Sequence, residues 1–74
     1  MKTKRRLSQA VCIGKQLRYM RRVKDRTQEE LAEHIGISVG WLSRLERGIE
    51  LPSLKLLFRI AKALQVQVNE LLPL

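Results

Sequence analysis

Between Thr27 and Gly48 the chain carries two short apolar-periodic segments separated by Gly36, and this arrangement limits the fold more than any other feature. Thr27 precedes Gln28-Glu29-Glu30, so a hydroxyl able to cap a helix stands three residues before a carboxylate able to cap back. The apolar positions Leu31, Ala32 and Ile35 follow. Gly36 falls where a left-handed residue ends such a helix, a conformation that costs other residues about 1 kcal/mol or more. Ser38 then caps a further helix running to about Arg47, with Leu42 and Leu45 facing inward, and Gly48 closes it. Ala32 is small where the two helices cross closest, and Leu31, Ile35, Ile37, Leu42 and Leu45 fill the wedge between them and the rest of the chain.

Helical spacing also governs the flanks. Ala10, Ile13, Leu17 and Met20 recur at intervals of three and four, which predicts a first helix over residues 8–24, ending near Lys24-Asp25. After Pro52, Ser53 opens a fourth helix with Leu54, Leu57, Phe58, Ala61 and Leu64 on one face, and a last turn runs from Asn69 to Leu72. Strand signals are poor, because β-branched and aromatic residues are sparse and do not alternate. The expected architecture is all-α, five helices, with the helix-turn-helix at about residues 28–47. A chain of 74 residues removes only about 60% of its unfolded surface from water, so residues 8–74 form one domain behind a basic arm, residues 1–7.

Composition narrows the partners. The net charge of +8 attracts polyanions, nucleic acid first and anionic lipid second. It is unevenly spread: residues 1–26 hold ten Lys and Arg against Asp25, whereas residues 27–50 hold two Arg against five Glu. The single thiol, Cys12, permits no internal disulfide and no cysteine metal site, which favours a reducing cytoplasm. The basic start, Met1 to Arg6, resembles the opening of an export signal, but Ser8, Gln9 and Lys15 interrupt the apolar stretch that should follow. No run approaches the roughly 20 apolar residues of a membrane span, and membrane-surface binding would need an apolar face that the core requires. An enzyme is not expected, since nucleophile–base pair, metal cluster and Gly-rich phosphate loop are all lacking, and no cofactor or metal is implied. His34, without a second ligand at metal spacing, reads as a surface histidine, and Cys12, near the first helix's stripe, as a small packing residue.

The whole ordered set resembles the lambda-repressor-like family of phage Cro and lambda-type repressors, often called the XRE family, over roughly residues 13–72. The resemblance rests on Ile13-Gly14, Leu17-Arg18 and Arg21, on Thr27 to Ala32, on Gly36-Ile37-Ser38, and on Leu42 to Gly48. Pro52-Ser53, Leu57, Ala61, Leu64, Val66 and Leu71 extend it. Asp25 stands where relatives often carry Gly, a mild change because Asp tolerates a left-handed turn. Arg26 stands where they carry an apolar residue, replacing a hydrophobic staple by a charge.

The resemblance implies a transcription regulator, a repressor or autoregulator, that binds double-stranded DNA as a homodimer on a palindromic operator. Its third helix would enter the major groove amino end first, so Val39, Gly40, Ser43 and Arg44 become the expected base contacts. Arg44 has the planar fork that matches guanine O6 and N7, Val39 suits a thymine methyl, and Gly40 permits close approach. Thr27 and Gln28 at the start of the second helix, with Trp41 and Arg47, are the expected backbone contacts. Arg21 and Glu46 are expected as a structural ion pair, and Val68, Leu71, Leu72 and Leu74 as the dimer interface. With the chain ending at Leu74, no small-molecule ligand domain is expected. A protein-interaction or antitoxin-type module on the same bundle is the competing reading; the charge on residues 1–26 speaks against it.

Overall fold

The computed structural model describes residues 2–72, with side chains from Ser8 onward. Four α-helices follow one another, α1 (Lys2–Val23), α2 (Gln28–Ile35), α3 (Val39–Glu46) and α4 (Leu54–Leu64), and a 3₁₀ turn spans Val68–Leu71. The all-α expectation holds, although the fifth element is a single 3₁₀ turn of four residues. The first helix begins at Lys2, well before the expected start at residue 8, so the backbone of 2–7 continues it. The side chains of Lys4, Arg5 and Arg6, and Leu74, lie outside the described residues. Among those described, no helix is long and apolar enough to cross a membrane.

Each helix boundary has a local cause. Thr27 caps α2 through a capping box, its Oγ1 accepting from the Glu30 N–H at 3.1 Å while Glu30 Oε1 accepts from the Thr27 N–H at 2.8 Å. Those two bonds draw the exposed Glu30 carboxyl below its ordinary range, the backbone donor contributing most. Ser38 and Ser53 cap α3 and α4 through the hydroxyl alone, accepting from Trp41 N–H at 3.0 Å and Leu56 N–H at 3.1 Å. Gly36 ends α2 at φ 90°, as its position in the sequence requires. Asp25 stops α1 at φ 56° and Gln65 stops α4 at φ 59°, both left-handed without glycine. From α4, Arg59 donates to the Ile35 carbonyl and so satisfies the end of α2.

The core gathers Ile13 and Leu17 from α1, Leu31, Ala32 and Ile35 from α2, Leu42 and Leu45 from α3, and Leu57, Ile60, Ala61, Ala63 and Leu64 from α4, with Leu71 beneath. The wedge residues are therefore buried as expected, with Ile37 and Met20 half-buried against them. The expected face of α4 is rotated. Leu54 and Phe58 are 63% and 54% exposed, and Ile60 and Ala63 take the inner places. At about 100° per residue Leu57, Ile60, Ala61 and Leu64 form one stripe, and Leu54 and Phe58 lie off its edge. Cys12 is likewise exposed rather than packed, standing about 100° around α1 from Ile13.

Candidate nucleic-acid interface

Along α3 and its C-cap, Gly40, Ser43, Arg44 and Arg47 follow i, i+3, i+4, i+7 spacing and so share one stripe, opposite the buried Leu42, Leu45 and Glu46. Val39, Gly40, Arg44 and Arg47 are exposed and Ser43 is half-buried. A Cβ added at Gly40 would meet nothing within 4 Å. Glycine in a helix lowers stability, and the packing of this molecule gives no reason for it there.

Arg44 is held from two directions. Its Nη2 donates to Glu50 Oε1 at 2.7 Å, and its guanidinium carbon stands 5.8 Å from the centre of the half-buried Trp41 ring, within cation–π range. The two charged side chains remain 49% and 32% exposed, and surface pairs of this kind contribute only about 0–1 kcal/mol to stability.

The inner side of α3 is anchored by Glu46, whose side chain is fully buried. Arg21 of α1 forks onto it, Nε to Oε2 at 2.6 Å and Nη2 to Oε1 at 3.0 Å. Gln28 of α2 donates through Nε2 to Oε1 at 3.1 Å, and Arg18 approaches at 3.6 Å. Arg21 also donates through Nη1 to the Arg26 carbonyl at 2.8 Å, tying the α1–α2 loop to the same group. Burial pushes the Glu46 carboxyl up, but the donors from Arg21 and Gln28 and the charges of Arg21 and Arg18 outweigh it and hold the group below the usual carboxylate range. The hydrogen bond to Glu46 correspondingly raises the Arg21 guanidinium, against its own desolvation.

A scaffold of short capped helices whose third member shows a polar stripe to solvent has counterparts among known proteins. The HTH_3 family model, described as helix-turn-helix, matches residues 17–71. The chain belongs to the helix-turn-helix family. An uncharacterized HTH-type transcriptional regulator of Bacillus subtilis, YazB, is 40% identical over 60 residues, covering 81% of this chain and 87% of YazB. The Vibrio cholerae cryptic phage CTXphi transcriptional repressor RstR is 36% identical over 59 residues, 80% of this chain and 53% of RstR. The biofilm master regulator SinR, solved in complex with DNA, superposes with a TM-score of 0.76 at 33% identity over 80% of this chain and 95% of SinR. As in its family, this protein is a transcriptional regulator built on a helix-turn-helix DNA-binding domain.

The remaining expected residues fall into place unevenly. Thr27 and Gln28 are engaged within the fold, yet the Thr27 hydroxyl accepts in the cap and keeps its own proton to donate, and Gln28 Nε2 keeps a second N–H. Arg47 caps α3, its Nε donating to the Ser43 carbonyl at 3.4 Å. His34 is exposed, its Nδ1 2.8 Å from Arg26 Nη1, so the charge that replaces an apolar staple finds a partner across the loop. Leu71 corrects the expected dimer interface: at 1% exposure it seals the core and has no surface to offer, while Val68 and Leu72 are half-buried. Sequence reasoning missed Glu50, and it missed that α1 and α3 approach so closely at Gly14 that a Cβ there would stand 2.5 Å from the Leu45 carbonyl oxygen. Only the proximity of Glu50 to a candidate reader could have marked it.

The lowered Glu46 carboxyl sets a pH dependence. A carboxylate whose folded value lies below its ordinary unfolded value stabilises fully above the latter, and the contribution is lost as pH falls through the folded value. Thermal unfolding of the wild type is therefore expected to move to lower temperature below about pH 5. Glu46→Gln, which has no proton to take up there, is expected to show a smaller acid shift. Equal acid shifts in parallel pH series would remove Glu46 from the cause.

Proposed function

We propose that this protein is a sequence-specific regulator that binds a palindromic operator in double-stranded DNA as a homodimer and acts as a repressor or autoregulator. The observation that carries the proposal is the stripe on α3: Gly40, Ser43 and Arg44 outward, with Glu46 clamping the opposite side to α1 and α2. A helix fixed in this way presents its first two turns to base edges in the major groove. Arg44 reads guanine, Val39 offers a methyl-sized contact, Ser43 adds a short polar reader, and Gly40 lets the helix approach closely. Thr27, Gln28, Trp41 and Arg47 contact the sugar-phosphate backbone on either side. The kinship to a repressor, RstR, and the likeness to SinR bound to DNA support the same assignment.

One recognition helix covers few base pairs, so two half-sites about 34 Å apart supply the specificity. Apolar surface open to a second copy includes Val68 and Leu72 near the carboxyl end, with Leu54 and Phe58 exposed on α4. Selection from a randomised duplex library tests the whole proposal. The expected product is an inverted repeat, and Arg44→Ala is expected to lose preference at one position per half-site, with a discrimination worth about 1–3 kcal/mol. A non-repeating consensus would overturn the dimer. Uniform weakening by Arg44→Ala across all sequences would move that side chain to the phosphates.

A further inference from the structure

We propose that Glu50 is a positioning residue for base recognition, holding Arg44 so that one pair of parallel N–H groups faces guanine instead of the nearest phosphate. The proposal rests on the assignment of Arg44 to a base edge and adds the residue that makes that contact selective. Glu50 follows α3 in the loop before Pro52, and its Oε1 takes a hydrogen from Arg44 Nη2 at 2.7 Å. The Trp41 ring lies 5.8 Å from the same guanidinium, so a carboxylate and an aromatic ring together restrict a side chain that otherwise samples many rotamers.

The donor geometry leaves the guanidinium competent. Its five N–H groups form two forks, one from Nε with Nη2 and one from Nη1 with Nη2. Whichever Nη2 hydrogen Glu50 accepts, the fork that uses the other remains whole, and one fork is what O6 and N7 of guanine require. Charge works in the same direction. An unpaired arginine at this edge would be drawn to any phosphate, whereas the Arg44–Glu50 pair has no net charge and its carboxylate is repelled by phosphate. Neutral acceptors on a base edge meet less of that repulsion. Glu50 thus lowers binding to unselected DNA more than binding to the correct half-site.

The test uses the full chain as wild type, Glu50→Gln and Arg44→Ala, titrated on the duplex selected from a random library, on the same duplex with the Arg44-dependent base pair changed, and on unselected DNA at several salt concentrations. Thermal unfolding of Glu50→Gln is expected to match wild type, since the pair is exposed. Its discrimination at the changed base pair is expected to fall at least about threefold, out of the roughly five- to 150-fold that a bidentate contact supplies. The slope of log affinity against log salt on unselected DNA is expected to steepen by about 0.9, as the released arginine finds a phosphate. Unchanged discrimination in Glu50→Gln, with Arg44→Ala erasing the preference, overturns the role of Glu50 and leaves base readout by Arg44 standing. Uniform weakening by Arg44→Ala overturns both. Tighter binding of Glu50→Gln to every duplex alike, with the base preference intact, reduces Glu50 to a repulsive charge and also overturns the proposal.

Discussion

Glu46→Gln is expected to cost about 3–5 kcal/mol of stability, the range found when one partner of a buried ion pair is removed. In a chain of this size that corresponds to a fall in Tm of 10 °C or more. The cost arises twice over. Arg21 is only 11% exposed and keeps its charge without a counter-ion. Glutamine, meanwhile, supplies one oxygen where the carboxylate uses two, and points an amide N–H₂ at donors from Arg21 and Gln28. The double replacement Arg21→Met with Glu46→Leu separates these effects, because it removes both charges while keeping volume, and is expected to recover most of the loss. Urea unfolding at neutral pH measures both variants. A single variant as stable as wild type would mean that the pair is solvated, contrary to its geometry.

Gly14→Ala is expected to destabilise by about 1–3 kcal/mol, although the same change elsewhere within a helix stabilises by about 0.5–1 kcal/mol. The sign is reversed by contact. A Cβ at Gly14 would stand 2.5 Å from the Leu45 carbonyl oxygen and 2.7 Å from that of Glu46, both backbone atoms that no rotamer change can move. The extra methyl pushes α3 away from α1 at the point where Arg21 reaches Glu46, so DNA affinity is expected to fall even at temperatures where the variant is folded. Gly40→Ala is the matched control, since its Cβ meets nothing, and its stability is expected to equal or exceed that of wild type. If both alanines shift the urea midpoint in the same direction, close approach at Gly14 is not the cause of its glycine.

The features legible in the sequence are those set by neighbours a few residues away. Thr27 with Glu30, Ser38, Ser53 and Gly36 each act within one helical turn, and each forms the cap that its spacing predicts. Asp25 in a left-handed turn follows from the same local chemistry. Arg21 with Glu46 spans 25 positions and was accessible only through resemblance to a family. The edges of the packed faces are not legible outside the helix-turn-helix wedge, because periodicity marks a helix face without saying where its edge falls. Leu54 and Phe58 look like core and are exposed, while Leu71 looks like interface and is core. The sequence points Gln28 toward phosphate, yet one of its hydrogens is donated to Glu46, a residue of another helix. Glu50 offers in the sequence only its nearness to Arg44, as its role depends on where the loop after α3 turns back on that side chain.

The Glu46 clamp fixes where the burden of adaptation lies when protein meets duplex. Because α1, α2 and α3 meet at one buried acceptor, α3, if it is the reading helix proposed above, would dock together with its two neighbours. Any mismatch in curvature or groove width must then be absorbed by the nucleic acid. For the dimer proposed above, operators with identical contacted bases would then be ranked by the flexibility of the steps between half-sites, with pyrimidine–purine steps yielding most readily. Selectivity at positions that no side chain reaches would follow from an ion pair on the far side of the helix.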